Sequence, residues 1–136
     1  MTCSDVVLVG AGLASQRCAE TLRARGFDGP IRMIGAEAHA PYDRPPLSKE
    51  VLVTPDAATP MLRGEGWHAD NDIDLLLGDP AVALEDHRVR LRSGASVPFG
   101  KLLVATGARA RTLPGLEHAL TLRSVDDAHE LRDHLR

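Results

Sequence analysis

The feature that most constrains this chain is a short apolar run that leads directly into two glycines. Residues 6–9 are Val-Val-Leu-Val, and Gly10 and Gly12 follow with one alanine between them. Four consecutive apolar residues predict a strand buried on both faces, after which Gly10 allows a sharp turn. Gly12 would let the backbone approach a pyrophosphate at the start of a helix, whose free N–H groups bind phosphates.

A helix over residues 13–25 is predicted after this turn. Its apolar residues recur at helical spacing, and Gly26 stands where a C-terminal cap is expected. Cys18 is predicted to be a small core residue of the helix. The polar side chains are predicted to face water, namely Gln16, Arg17, Glu20, Arg23 and Arg25.

The residues beyond this helix complete a dinucleotide-binding pattern. Residues 31–34 predict a second strand, and Glu37 follows at about the 20-residue spacing expected of an acid that binds a ribose hydroxyl. Ser15 departs from the pattern, because its hydroxyl must either bond back to the helix or tolerate slight separation from the strand. The pattern favours a dinucleotide site, and a generic βαβ unit is the alternative.

Composition narrows the class of protein. The chain has 136 residues, 43% of them apolar, and a net charge of −3, which is typical of one globular domain. The sequence has no surplus of basic residues, so we expect no nucleic-acid partner. It also shows no signal sequence and no apolar run long enough to span a membrane, so we expect no membrane partner and a cytoplasmic location. Cys3 and Cys18 are too few for a disulfide framework, a redox pair or a zinc site. The histidines are predicted to be solvated, with no metal site: His39, His68, His87, His118, His129 and His134.

A long connection follows Glu37. Pro45 is expected to force Arg44 into an extended conformation, and Pro46 to do the same to Pro45. An arginine held on such a stiff arm suits a phosphate. The alternative is a proline-stiffened surface loop with solvated charges.

The middle of the chain predicts further strands. Residues 61–71 are loosely helical, and Trp67 is expected to anchor a small apolar cluster, with stacking on a ligand as the alternative. A third parallel strand is predicted at 73–77, followed by an antiparallel meander. The meander covers 81–84, 88–92 and 96–99, and Arg88, Arg90 and Arg92 are expected on its wet face.

A second glycine-containing signature lies near the end of the chain. Residues 101–104 predict a buried strand that ends in Ala105, Thr106 and Gly107, small residues that admit a ligand close to the backbone. A turn without a ligand is the alternative. Ser124 and Asp127 then predict an N-terminal cap. The helix beyond it is expected to carry Val125, Ala128, Leu131 and Leu135 on one side.

The string Tyr42-Asp43-Arg44-Pro45-Pro46-Leu47-Ser48-Lys49, together with the two glycine signatures, resembles the FAD-dependent ferredoxin and rubredoxin reductases, including the putidaredoxin reductase type. The resemblance implies bound FAD, NAD(P)H as electron donor, and a ferredoxin or rubredoxin as acceptor. It places Arg44 at the FAD pyrophosphate and Lys49 near the flavin, although Lys49 without this motif would be taken as a solvated helix residue. The other cofactor contacts that pattern and resemblance imply are Gly10, Gly12, Ala14, Ser15, Glu37, Val82 through its main chain, Ala105, Thr106, Gly107, Arg111 and Arg123.

The expected fold is an α/β fold with a Rossmann-like parallel sheet, a βαβ dinucleotide-binding unit and a small antiparallel meander. Residues 1–115 are expected to form the N-terminal part of an incomplete FAD domain, and 116–136 to lead toward an NAD(P)H domain that this sequence lacks. One sheet edge should then be unpaired, with apolar surface exposed.

Other functions remain open at this point. The chain is expected to be inactive alone, and a second chain supplying the missing domains would make it half of a split flavoenzyme. The alternative from another class is a non-catalytic nucleotide-binding module. A flavin disulfide reductase is disfavoured, because no cysteine lies between Glu37 and Arg63.

Overall fold

The computed structural model describes residues 5–135, and the chain divides into two compact units. Unit 1 is formed by Met1–Pro41 and Leu62–Gly107, and unit 2 by Tyr42–Met61 and Ala108–Arg136. The expected boundary at residue 115 concerns cofactor domains and stays a prediction. Of the two cysteines, Cys3 lies outside the described residues.

Unit 1 contains a parallel sheet and an antiparallel sheet, which confirms the expected α/β class. In chain order the strands are β1 (Val6–Val9), β2 (Ile31–Ile34), β3 (Ile73–Leu76), β4 (Ala81–Glu85), β5 (Arg88–Leu91), β6 (Ser96–Pro98) and β7 (Lys101–Val104). The parallel sheet has the order β3-β2-β1-β7, and the antiparallel sheet has the order β4-β5-β6. Strand β1 therefore pairs on both sides, with Val6 opposite Ile31 and Lys101.

The alternating side chains of β1 build a core on each face of the parallel sheet. Val6 and Leu8 pack with Ala19 of the first helix, whereas Val7 and Val9 pack with the inner face of the antiparallel sheet. Successive side chains of a strand point to opposite faces, so four consecutive apolar residues are needed to supply both cores. The three arginines predicted on the wet face of the meander, Arg88, Arg90 and Arg92, are exposed, as expected.

The first helix, α1, spans Leu13–Ala24 and confirms the helix predicted after the glycines. Gly26 follows it in the left-handed region with φ +80°, a conformation that glycine adopts without strain. Cys18 is partly buried against the core, as expected, and burial raises the pKa of its thiol. The expectation that the polar face of α1 is solvated is wrong at Gln16, whose side chain is fully buried.

A polar cluster explains the burial of Gln16. Its Nε2 donates to Glu20 Oε1 at 2.9 Å, and its Oε1 lies 2.8 Å from Nε2 of His68. His68 is itself buried, so the prediction that it is solvated is also wrong. Arg63 Nε donates to Glu20 Oε1 at 2.7 Å, and the Arg63 guanidinium lies 5.4 Å from the centroid of the Trp67 ring. We call Gln16, Glu20, Arg63 and His68 the polar cluster.

The helix predicted over 61–71 is shorter in the structure. Only α3, Trp67–Asp70, is helical, because Gly66 precedes it in the left-handed conformation and Asn71 ends it. Trp67 packs partly buried against the core beside α1, which confirms its predicted role as an apolar anchor.

Unit 2 is built from two short helical segments and a longer helix. A 3-10 helix spans Pro45–Ser48, α2 spans Glu50–Val53 and α4 spans Val125–His134.

The predicted cap of α4 is confirmed, since Ser124 and Asp127 form a capping box. Val125 and Ala128 are buried as expected, together with Tyr42, Leu47 and Val51. Leu135, which was expected on the same side of this helix, is instead the C-cap residue just past the end of α4 and is 71% exposed. None of the helices in the described residues is long and apolar enough to cross a membrane.

The polar cluster predicts how the stability of the chain depends on pH. The hydrogen bond from Arg63 is the largest of the effects that lower the pKa of Glu20, from its ordinary 4.5 to about 2. A carboxyl with a lowered pKa stabilises the fold above pH 4.5, and this contribution is lost as the pH falls toward 2. Burial lowers the pKa of His68, so stability also falls with pH below the ordinary value of 6.5 for that side chain.

We therefore expect Glu20→Gln to lower the free energy of unfolding at pH 7 by about 2 kcal/mol. The acid-induced loss of stability should also become shallower, as measured by urea unfolding at a series of pH values. Glu65→Gln, at an exposed carboxyl two residues from Arg63, is the control. Equal pH dependence in Glu20→Gln and the wild type would contradict this role of the cluster.

Candidate functional site

The carboxyl ends of the four parallel strands meet through residues that have little or no side chain. A Cβ atom at Gly10 would lie 2.1 Å from the carbonyl oxygen of Ala105, and Gly10 has φ +112°. The Ala105 N–H donates to the Val9 carbonyl at 2.7 Å, so β1 and β7 remain paired up to this contact. Only glycine satisfies both the backbone conformation and the close approach at residue 10.

Strands β2 and β3 end at the same edge. A Cβ atom at Gly35 would lie 2.8 Å from Cβ of Ala11 and 2.9 Å from Cδ2 of Leu77. The Gly35 N–H donates to the Leu76 carbonyl, and the Gly10 N–H donates to the Ile34 carbonyl, both at 2.8 Å. The backbones at the carboxyl ends of all four parallel strands are therefore closely packed near the start of α1.

The start of α1 has the features of an anion site. Gly12 is the N-cap residue, and no side chain caps the helix. A Cβ atom at Gly12 would have nothing within 4 Å, and its φ of −116° suits any residue. The N–H groups of the first helical turn therefore have neither a partner within the helix nor a capping side chain, and phosphate binding requires such unpaired donors. Ala14, in that turn, is exposed.

Ser15 occupies the third small position of the glycine pattern and is fully buried. Among the described residues, its Oγ finds no hydrogen-bond partner. Of the two possibilities left by the sequence, the hydroxyl does not bond back to the helix. An unpaired buried hydroxyl costs free energy that an alanine at this position would not.

Ser15→Ala should accordingly raise the free energy of unfolding by about 1 kcal/mol, because it removes a buried unsatisfied hydroxyl without breaking a hydrogen bond. Chemical unfolding measures this change. Thr21→Ala, which deletes an exposed hydroxyl bonded to the Arg17 carbonyl, is a control expected to give no stabilisation. A loss of stability in Ser15→Ala would contradict the conclusion that the buried Ser15 hydroxyl has no hydrogen-bond partner.

Two further predicted contacts lie beyond this edge, in unit 1. Glu37 follows β2, and its backbone carbonyl accepts a hydrogen bond from the Gly78 N–H at 2.9 Å. Val82 lies in β4 where the pairing register with β5 shifts between Ala81 and Ala83. Because a bulge takes a residue out of the regular ladder, the main chain of Val82 is suited to pairing with a ligand.

The second glycine signature is more exposed than expected. The strand β7 is confirmed, but its two middle residues are only partly buried and Val104 is 64% exposed, so the prediction that this strand is buried is wrong. Among the described residues β7 pairs only with β1, and the predicted unpaired edge with exposed apolar surface is therefore present. Thr106 and Gly107 are exposed after it, and Gly107 has φ +71°.

Unit 2 brings together two of the predicted arginines. Arg44 Nη1 donates to the Arg123 carbonyl and lies 3.3 Å from the Tyr42 hydroxyl, with its guanidinium 5.2 Å from the centroid of the Tyr42 ring. Arg123 Nε donates to the Ala108 carbonyl at 3.0 Å. Lys49 and Arg111, the other predicted cations of this unit, are exposed.

The expected extended conformation of Arg44 is wrong. Arg44 has φ −87° and ψ −33°, in the right-handed helical region, and Pro45 belongs to the 3-10 helix. The hydrogen bond from the Leu47 N–H to the Arg44 carbonyl and the burial of Leu47 outweigh the preference set by the following proline. Arg44 is therefore positioned by the 3-10 helical turn that follows it, and not by an extended, proline-stiffened segment as predicted.

Sequence reasoning missed Tyr42 as the organiser of these arginines. Its hydroxyl accepts a hydrogen bond from the Val125 N–H at 3.1 Å, and its ring is buried. The available signal was its rarity, since Tyr42 is the only tyrosine in the sequence.

Comparison with known proteins agrees with this geometry. The family model described as pyridine nucleotide-disulphide oxidoreductase matches residues 4–136. The chain is 43% identical to the 3-phenylpropionate/cinnamic acid dioxygenase ferredoxin–NAD(+) reductase component of Photorhabdus laumondii, over 93% of this chain and 34% of that protein. It is 44% identical to the anthranilate 1,2-dioxygenase system ferredoxin–NAD(+) reductase component of Burkholderia cepacia, over 99% of this chain and 35% of that protein.

The fold is also similar to that of a solved structure. The chain matches the crystal structure of the covalent putidaredoxin reductase–putidaredoxin complex with a TM-score of 0.87 and 34% identity, over 97% of this chain and 34% of the matched chain. The chain thus spans about a third of the length of the relatives it matches. It belongs to the pyridine nucleotide-disulphide oxidoreductase family, where it resembles the N-terminal portion of the ferredoxin and rubredoxin reductases.

Proposed function

We propose that this chain is the FAD-binding portion of a cytoplasmic flavoprotein reductase that passes electrons from NAD(P)H through FAD to a ferredoxin or rubredoxin. The observation that carries the proposal is the start of α1, where Gly12 leaves space and uncapped N–H groups beside the tightly packed strand ends. The ferredoxin–NAD(+) reductase components that the chain resembles support the choice of cofactor and acceptor.

In unit 1, the residues fit the adenosine and pyrophosphate parts of FAD. The first turn of α1 would donate N–H groups to the pyrophosphate, with Gly10, Gly12, Ala14 and Ser15 setting the path of the backbone. Glu37 would accept hydrogen bonds from the ribose hydroxyls, and the bulged main chain of Val82 would pair with the adenine edge.

The remaining contacts are assigned from the family resemblance. Ala105, Thr106 and Gly107 supply a backbone without bulky side chains, which suits close approach of the cofactor. In unit 2, Arg44 and Arg111 are assigned to the phosphates of FAD, where guanidinium groups bind in bidentate geometry, and Arg123 is assigned to a contact with FAD.

Lys49 is assigned to the flavin ring. Bound FAD would supply hydride acceptance and one-electron donation, and an ammonium near the ring would stabilise the negative charge of its reduced form. The role of this chain's own residues is to bind and orient the cofactor, while the nicotinamide donor and the iron-sulfur acceptor belong to the activity of the whole protein.

Gly12→Ala tests this proposal, because the added methyl group meets open space in the ligand-free chain. The fold should lose less than about 1 kcal/mol, as expected for a change of N-cap residue. FAD affinity, measured by quenching of flavin fluorescence, should fall by about tenfold or more, because the methyl group would occupy the path of the pyrophosphate.

Gly64→Ala is the matched control, since a Cβ atom there also has nothing within 4 Å. This variant should bind FAD as tightly as the wild type. Failure of the wild type to bind FAD, or equal affinity in Gly12→Ala, would contradict the proposal. FAD binding without NADH-dependent bleaching, even with a chain that supplies a nicotinamide domain, would favour the alternative of a non-catalytic nucleotide-binding module.

A further inference from the structure

The buried side chain of Gln16 links the first turn of α1 to α3. One end of its amide donates to Glu20, one turn further along α1, and the other end meets His68 of α3. Gln16 and His68 are both buried, so water does not readily replace either partner. The glycine signatures alone do not account for this link.

Charge fixes the direction of each hydrogen bond in the polar cluster. Arg63 and Arg17 hold Glu20 as a carboxylate, which can only accept hydrogen bonds. Gln16 must therefore turn its Nε2 toward Glu20 and its Oε1 toward His68. Because an amide oxygen only accepts, the hydrogen on the His68 ring must sit on Nε2.

The backbone of Gln16 connects this cluster to the glycine turn. The Gln16 N–H donates to the Gly12 carbonyl at 3.0 Å, which is the hydrogen bond that closes the first turn of α1. The three residues between them, 13–15, carry the N–H groups that have no partner within the helix. Holding Gln16 in place therefore fixes the direction of the N–H groups available to a phosphate.

We propose that His68 is a positioning residue that acts through Gln16 to orient the first turn of α1 for the pyrophosphate of FAD. The inference rests on the proposed function, because it names a residue that supports the same cofactor site without touching the cofactor. The inference gives α3 a role beyond packing. The Nε2–H group of His68 holds the Gln16 side chain in the orientation that its hydrogen bond to Glu20 requires.

His68→Leu and His68→Gln separate positioning from packing. Leucine removes the donor and leaves Gln16 Oε1 buried without a partner, so FAD affinity should fall by about tenfold. Glutamine restores an N–H donor of similar reach, and the affinity should return to within about threefold of the wild type. His118→Leu, at an exposed histidine, is the control and should leave the affinity unchanged.

Amide hydrogen exchange in the ligand-free chain gives a second readout that does not depend on FAD. Exchange at the Gln16 N–H should accelerate in His68→Leu and return toward the wild-type rate in His68→Gln. If His68→Leu does not fold, the double variant Gln16→Met/His68→Leu removes both polar partners and restores apolar packing. The double variant should fold and still bind FAD about tenfold more weakly than the wild type.

The outcomes distinguish this inference from the proposed function. Absence of FAD binding by the wild type contradicts the proposed function, and the Gln16 exchange rate then decides the positioning role alone. Wild-type FAD affinity in His68→Leu or in the double variant, or unchanged Gln16 exchange in His68→Leu, would overturn the inference.

Discussion

The contact between Gly10 and the backbone of Ala105 is the constraint on which the rest of unit 1 depends. Any side chain at Gly10 would collide with the Ala105 carbonyl, and the positive φ of Gly10 turns the chain out of the sheet at this point. Because β1 lies between β2 and β7, this turn leaves the sheet from an interior strand, at the carboxyl end of β1. The first helix then begins at Leu13, after its N-cap residue Gly12, and no side chain caps its first N–H groups, as an anion site requires.

The same central strand determines the layers on either side. Its apolar residues alternate between a core shared with α1 and a core shared with the antiparallel sheet. The helix that would present the proposed anion site is therefore fixed by packing along its length and by the polar cluster near its start. Rigid support of this kind suits a site whose binding groups are backbone N–H groups, because they have no side-chain rotamers with which to adapt.

The sequence predicted the features that depend on local pattern. The four parallel strands, α1, the meander and the capping box of Ser124 all follow from periodicity and from turn or cap residues. The features it missed depend on partners distant in sequence. Gln16 and His68 are 52 positions apart, and nothing in the helical periodicity of residues 13–25 indicates that their side chains would form a buried hydrogen bond.

Arg44 shows the limit of a local rule. The residue before a proline prefers extended backbone, but burial of Leu47 and the bonds of Arg44 within unit 2 favour a helical turn. Val104 shows the limit of an apolar pattern, because burial of a strand depends on neighbours on both sides. The cofactor contacts were predicted from the glycine pattern and from motif resemblance together, and geometry alone supports best those at the ends of the parallel strands.

The central claim is that the start of α1 binds the pyrophosphate of FAD. Titration of the ligand-free chain with FAD, ADP and FMN, monitored by the backbone amide NMR signals of residues 12–15, tests it most directly. The account predicts that FAD and ADP shift these signals strongly and that FMN, which lacks the adenosine half and the pyrophosphate, does so weakly. Absence of shifts with FAD, or equal shifts with FMN, would contradict it.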